Sequence, residues 1–271
     1  MDCSIKAPVP FNLAVTLDCG QAFRFRDRGD GVFEGIAKGR LLSVKQQGDY
    51  LIFYNTTREE YEDIWSDYLD LDRDYGEIDR IISRDPTLKK ICESQSGIRV
   101  MNQEPFETLI SFIISQNNNI PRIKGIIDRL CEGFGSKIDG GFAFPSAEVL
   151  AALEPADLAP LRAGFRARYI IDAARKCSSG EVVFKDLVDM PLDDAREELM
   201  KITGVGRKVA DCTLLFGLRH KEAFPIDVWM KRAMQTLFCG ELPEVAKPYA
   251  GIVQQYIFNY SRTHKEIFGT E

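Results

Sequence analysis

Between residues 14 and 55 short apolar runs follow one another at strand length, and AVTLDC, AFRFRD, VFEGIA, RLLSVKQ and YLIFYN each read as a β-strand. Arg28-Gly29-Asp30-Gly31, Lys38-Gly39 and Gln47-Gly48-Asp49 separate them with residues that accept turn geometry. The pattern predicts a small antiparallel sheet. From Arg58 the period lengthens, and 58–69, 75–83 and 86–95 read as helices, the last with Pro86 at its first position. Residues 105–116, PFETLISFIISQ, are apolar round most of a helical circumference, which predicts a buried central helix. Asn117-Asn118-Asn119 end it, and Pro121 opens a helix carrying Arg122 and Lys124. Residues 145–153, 155–161, 163–177, 225–238 and 247–260 continue as helices, and in the last Gln254 and Phe258 share a face. The expected fold is α+β, with an antiparallel sheet domain and flanking helices over 1–100 and a mainly helical region over 101–271.

Residues 198–212, ELMKITGVGRKVADC, carry the densest chemistry. Leu199 and Ile202 keep helical spacing, Thr203-Gly204-Val205-Gly206 interrupts it, and helix formers resume at Arg207. That is a helix, a hairpin and a second helix. Gly204 and Gly206 let backbone approach a ligand closely, and the second helix opens with unpaired N–H groups that suit a phosphate. Lys208 stands at that helix's positive end beside Arg207, and a neutral lysine amine is a nucleophile. In Pro225-Ile226-Asp227-Val228 the carboxylate of Asp227 falls near the first turn of a further helix, a placement that suits a partner for Lys208. A dinucleotide fingerprint is excluded, because no third glycine follows and a helix precedes. Taken alone, the motif also describes an ordinary helix turn bearing a solvated lysine.

Composition narrows the class. A chain of 271 residues with 45% hydrophobic content buries a substantial core. The densest apolar run, 109–114, is too short to span a bilayer, and MDCSIKAPVP lacks a basic segment followed by an apolar one. The expected location is the cytoplasm, on the nucleoid if the source is bacterial, with no membrane partner. Seven cysteines at irregular spacings argue against a disulfide framework, and with two histidines they supply neither zinc-ligand pairs nor an iron–sulfur motif. No cofactor or dedicated metal is expected. The net charge is −6, yet residues 160–176 set Arg162, Arg166, Arg168, Arg175 and Lys176 against Asp172 alone, while the acids gather in 57–79. Arg175 and Lys176 fit a solvated helix face equally well.

GVGRKVADC followed by PIDVW, together with CGQAFRF, SQNNNIPRI, GFRARY and YAGIVQQYIF, resembles the helix-hairpin-helix, Gly/Pro-rich-loop, aspartate superfamily of base-excision DNA glycosylases, and within it the 8-oxoguanine DNA glycosylases. The resemblance covers nearly the whole chain. It implies a sheet domain similar to the TATA-binding fold, a nucleophilic Lys208 and an Asp227 that steadies charge on the sugar. It implies a base pocket in which the Gly20 carbonyl meets N7–H of the lesion, Cys212 and Phe258 sandwich the ring and Gln254 reads the Watson–Crick edge. Asn117, Arg122 and Arg166 would face the estranged cytosine, Phe165 would wedge the stack where eukaryotic members have tyrosine, and Gly204 and Gly206 would meet phosphate. Two residues after the aspartate those members usually carry histidine beside a phosphate, whereas Trp229 here donates one hydrogen bond and cannot become charged. A structural cation on the hairpin carbonyls and a monomeric state also belong to the resemblance. The implied activity is excision of 8-oxoguanine opposite cytosine from double-stranded DNA, followed by strand nicking. A glycosylase for other damaged bases and a non-catalytic DNA-binding module are the alternatives.

Overall fold

The structure, a computed structural model, describes residues 2–268. It is α+β, with the expected antiparallel sheet at the front of the chain and helices after it. Five strands, β1 (Cys3–Lys6), β2 (Arg26–Asp27), β3 (Val32–Ala37), β4 (Arg40–Gln47) and β5 (Tyr50–Tyr54), pair antiparallel in the order β1-β5-β4-β3-β2. β1 was not foreseen: its four residues alternate buried and exposed, and Cys3 lies opposite Phe53 at the sheet edge. AVTLDC is a helix rather than a strand. In α1 (Leu13–Asp18) the Asn12 side chain caps Val15 N–H, and Leu13, Thr16 and Leu17 are buried at helical spacing. AFRFRD is mostly irregular, pairing only over Arg26–Asp27, while Phe23 and Phe25 go into the two separate cores.

The helices follow as α2 (Arg58–Glu60), a π-turn over Tyr61–Trp65, α3 (Ser66–Tyr68), α4 (Tyr75–Ile82), α5 (Pro86–Gln95), α6 (Pro105–Ser115) and α7 (Ile120–Phe134). A small hairpin, β6 (Lys137–Ile138) with β7 (Gly141–Phe142), was also missed. Then come α8 (Ala147–Ala151), α9 (Arg166–Ser178), α10 (Phe184–Leu187), α11 (Leu192–Met200), α12 (Arg207–Gly217), α13 (Val228–Phe238), α14 (Ala250–Thr263) and α15 (Lys265–Phe268). The 155–161 helix shrinks to a 3-10 turn at Ala159–Leu161.

Two cores form. One packs α1 and the Arg58–Tyr68 stretch onto the sheet through Leu13, Leu17, Leu42, Val44, Phe53 and Trp65. The other centres on α6, whose Leu109, Ile110, Ile113 and Ile114 are fully buried, and takes in α4, α5, α7, α9, α11, α12 and α14. Phe112 of α6 stacks on Phe216 of α12 with ring centroids 5.4 Å apart.

Extended residues 98–103 stitch the two cores together. Gln21 Nε2 donates to Arg99 O at 2.7 Å, Met101 N–H donates back to Gln21 Oε1 at 3.0 Å, and Gln103 Nε2 donates to Gln21 O at 2.8 Å. From the other side Gln103 N–H donates to Phe216 O, and buried Lys221 Nζ donates to Val100 O and Asn102 Oδ1. The loop holding Gly20 is thereby locked to the end of α12.

At the same seam Glu107, in the first turn of α6, is pushed up to about 7 chiefly by burial, although Arg24 stands 3.4 Å away. The folded protein therefore holds this proton between the ordinary value of 4.5 and about 7, and stability from that group is lost as pH rises through the interval. Glu107→Gln should accordingly raise the melting temperature relative to the parent progressively from pH 4.5 to 7, with no further change above. Thermal scans of both proteins across that range check this, and a constant difference overturns it.

Candidate active site

Six of the predicted site residues line one cavity. Gly20, Lys208, Cys212, Asp227, Gln254 and Phe258 meet there, joined by Phe112, Phe216, Pro225 and Gln255. Helix α12 presents Lys208 and Cys212 on one face, four residues apart. Lys208 Nζ lies 4.9 Å from the centre of the Phe112 ring and 3.4 Å from Ser115 Oγ. Ser115 gives its own hydroxyl proton to Phe112 O at 2.7 Å, so its oxygen is left to accept from the lysine. Asp227 is the N-cap of α13, with one carboxylate oxygen accepting from Met230 N–H at 2.7 Å. This cap holds the carboxylate at the start of its helix, facing the cavity. Burial pushes the Cys212 thiol up to about 11; Lys208 acts the other way and Asp227 adds to the rise, which marks all three as neighbours.

Gly20 has φ +83°, a left-handed conformation that favours glycine, and a Cβ there would sit 3.3 Å from Phe258 Cε1. The neighbouring Cys19 thiol is fully buried and points back to Thr16 O. The cavity measures ≈ 40 Å³, far under the roughly 300 Å³ at which ligand pockets begin. A purine enters only if a lining side chain moves.

Outside the cavity a groove of ≈ 750 Å³ runs past Ser115–Asn118, Gly206–Val209 and Ile226–Trp229, with Lys208 and Asp227 common to both spaces. The hairpin forms one wall. Val205 N–H donates to Ile202 O, Thr203 N–H donates to Asp172 Oδ2 at 2.7 Å, and Gly204 adopts φ +81°. Gly206 caps α12 without any side-chain hydrogen bond, leaving the first N–H groups of the helix open to an anion. Among the described residues no cluster of three His, Cys, Asp or Glu is assembled for a metal. Among the hairpin's backbone carbonyls, Ile202 O accepts from Val205 N–H.

The second predicted group clusters at the far end of the groove. The three asparagines take three jobs: Asn117 adopts φ 49°, Asn118 Nδ2 donates to Ile114 O, and Asn119 caps α7 by accepting from Arg122 N–H. Phe165 is 47% exposed at the start of α9, with Tyr169 beneath it at 5.7 Å. Arg122 is exposed, whereas Arg166 is buried and gives its donors to Gln116 O, Asn117 O and Ala163 O. Burial and then Arg122 pull the Arg166 guanidinium down. Arg166 braces the asparagine loop. Arg175 and Lys176 do not reach the groove: Arg175 bonds Leu153 O and Glu154, and Lys176 bonds Lys201 O and pairs with Asp172.

Sequence reading missed Phe112, Ser115, Phe216 and Gln255 as parts of the site. The first three look like interior helix positions, and nothing in their spacing distinguishes a pocket wall from core. Gln255 carried a usable signal, being a second amide beside Gln254 in the otherwise largely apolar run 250–258.

A hairpin that can hold phosphate, a lysine and a carboxylate at the mouth of a small recess, and an aromatic tip beside exposed arginine are the parts that a DNA-processing site of the base-excision kind uses. The family described as 8-oxoguanine DNA glycosylase, N-terminal domain, matches residues 4–109, and the HhH-GPD superfamily of base excision DNA repair proteins matches residues 110–244. A probable N-glycosylase/DNA lyase of Methanothermobacter thermautotrophicus is 32% identical over 241 residues, 76% of this chain and 75% of the relative. An N-glycosylase/DNA lyase of Saccharomyces cerevisiae is 43% identical over 155 residues, and that match spans 41% of the yeast protein. The Clostridium acetobutylicum 8-oxoguanine glycosylase/lyase, solved with double-stranded DNA containing cytosine opposite 8-oxoguanine, superposes with TM-score 0.88 at 38% identity, covering 94% of this chain and 93% of that one. The chain belongs to the 8-oxoguanine DNA glycosylase/lyase family of the HhH-GPD superfamily.

The two hairpin glycines separate by experiment. A Cβ on Gly204 would lie 2.3 Å from the Tyr169 ring in a left-handed backbone, while none of the surrounding atoms comes within 4 Å of a Cβ on Gly206. Gly204→Ala should cost about 2 kcal/mol or more of stability. Gly206→Ala should cost less than about 1 kcal/mol while weakening DNA binding through the phosphate approach. Urea unfolding and duplex-binding titrations of both variants measure the split; equal stability losses would refute it.

Proposed function

We propose that this protein is a bifunctional DNA glycosylase and lyase that extrudes 8-oxoguanine, prefers cytosine opposite it, releases the base through Lys208 and nicks the strand. The observation that carries the reading is the single cavity in which the Lys208 amine, the Asp227 carboxylate and the base-contacting residues Gly20, Cys212, Gln254 and Phe258 converge. Extrusion needs a wedge, a filler for the gap and a recess. Phe165 is the exposed wedge, the Asn117 loop with exposed Arg122 fills the gap and faces cytosine, which Arg166 would join only by releasing carbonyls of the loop that it braces, and the Lys208 cavity is the recess. Cytosine O2 and N3 are acceptors, which suit arginine donors.

8-Oxoguanine carries a hydrogen on N7 that guanine lacks. A Gly20 carbonyl aimed there gains a hydrogen bond with the lesion and meets a bare acceptor with guanine, a mismatch of roughly 1–3 kcal/mol. As the C1′–N9 bond breaks, its electron pair leaves with the base and positive charge grows on the sugar, where Asp227 stabilises it. The unprotonated Lys208 amine donates its lone pair to C1′, and ring opening gives an imine. Loss of a C2′ proton then expels the 3′ phosphate, and water hydrolyses the imine to free the lysine. Trp229, 42% exposed on the groove, replaces a chargeable neighbour of phosphate by a neutral one without touching this sequence of bonds.

Borohydride trapping on a labelled duplex with 8-oxoguanine opposite cytosine tests the reading. The parent should form a covalent adduct on the lesion duplex and none on undamaged guanine, and Lys208→Gln should form none while still binding. Base release without an adduct would leave a water mechanism around Asp227, and an unaltered Lys208→Gln protein would reduce the hairpin to a binding module.

A further inference from the structure

Gln255 follows Gln254 on α14, and the two side chains are only 3% and 5% exposed. Neighbouring residues on a helix rarely address one ligand, because they project about 100° apart. Here both line the Lys208 cavity, and a direct hydrogen bond draws the amides together. Their orientation follows from a group that can only accept. The Pro225 carbonyl takes the Gln254 Nε2 proton at 3.1 Å, which turns Gln254 Oε1 toward its neighbour. Gln255 Nε2 donates to that oxygen at 3.3 Å. The donor chain thus runs from Gln255 to Gln254 to Pro225, and its open end is Gln255 Oε1, which is buried with no hydrogen-bond partner. A buried acceptor in this condition is costly to leave unmade, and it is relieved by a ligand that brings a donor.

Guanine-type purines bring such a donor. Their Watson–Crick edge sets N1–H beside the exocyclic 2-amino group, two adjacent donors, whereas a hypoxanthine-type edge has N1–H alone and an adenine-type edge has an acceptor at N1. We propose that Gln255 Oε1 is a second reading acceptor of the pocket, taking a hydrogen bond from the 2-amino group while Gln254 Oε1 takes N1–H. The inference rests on the glycosylase reading above and adds to it a specificity for the amino group that Gln254 alone would not supply. Gln255 also steadies the Gln254 amide, so the two effects must be separated by substrate rather than by activity alone.

Single-turnover base release is measured on duplexes carrying 8-oxoguanine or 8-oxohypoxanthine opposite cytosine, which differ only in the 2-amino group. The parent should release 8-oxoguanine at least about ten-fold faster. In Gln255→Met, which keeps volume and removes the acceptor, the rate on 8-oxoguanine should fall further than the rate on 8-oxohypoxanthine, so that the ratio collapses toward one. Gln255→Ala carries the same expectation should the methionine protein fail to fold. A role confined to packing or to steadying Gln254 would slow both substrates together and leave the ratio intact, which would overturn the proposal. Equal parental rates on the two duplexes would overturn it too, whereas absence of any 8-oxoguanine release by the parent would instead defeat the glycosylase reading beneath it.

Discussion

The extended segment 98–103 is the constraint on which the site depends. The base cavity takes Gly20 from the loop after α1 and everything else from the helical region, so its shape is only as well defined as the seam between the two cores. That seam is polar. Arg99 is fully buried, donates to Pro10 O, Asp70 O and Arg73 O, and lies 4.1 Å from the centre of the Tyr75 ring. Gln21, Asn102, Gln103 and Lys221 complete the network with directional bonds. An apolar seam of the same size would tolerate sliding; hydrogen bonds of fixed length resist it, because any slip leaves buried donors unpaired.

Much of this was legible along the chain. The hairpin at 203–206 and the shared face of Gln254 and Phe258 rest on local chemistry, and the structure has both; Asp227, expected in the first turn of a helix from 225, is instead the N-cap of a helix that starts at Val228. Errors arose where tertiary contacts overrode the local period. AVTLDC satisfies an alternating pattern as well as a helical one, and only the Asn12 cap together with the burial of Leu13, Thr16 and Leu17 decides for the helix. Phe23 and Phe25 alternate as strand residues do, but Arg24 between them is drawn away to Phe142 O and Glu107. The seam itself was invisible, since no spacing rule announces that Gln21 and Arg99, 78 residues apart, will bond.

The charge pattern repays the same scrutiny. Of the five cations between 160 and 176, Arg175 and Lys176 are spent on carbonyls and carboxylates of neighbouring segments, and Arg166 is turned inward to the asparagine loop. A basic stretch in a sequence is therefore only an upper bound on a basic face. The groove is narrower in charge than the sequence suggested.

The resting cavity leaves too little room for a purine. An empty recess held open would be filled by ordered water, and each incoming base would have to displace it. A recess closed by its own lining instead sets the work of opening against every candidate, damaged or not. On the proposed reading, only a base that returns this work through the hydrogen bonds it makes would stay, so time spent on an undamaged neighbour would be cut short before any bond is at risk. A narrow recess would then act as a filter on dwell time, imposed before chemistry begins.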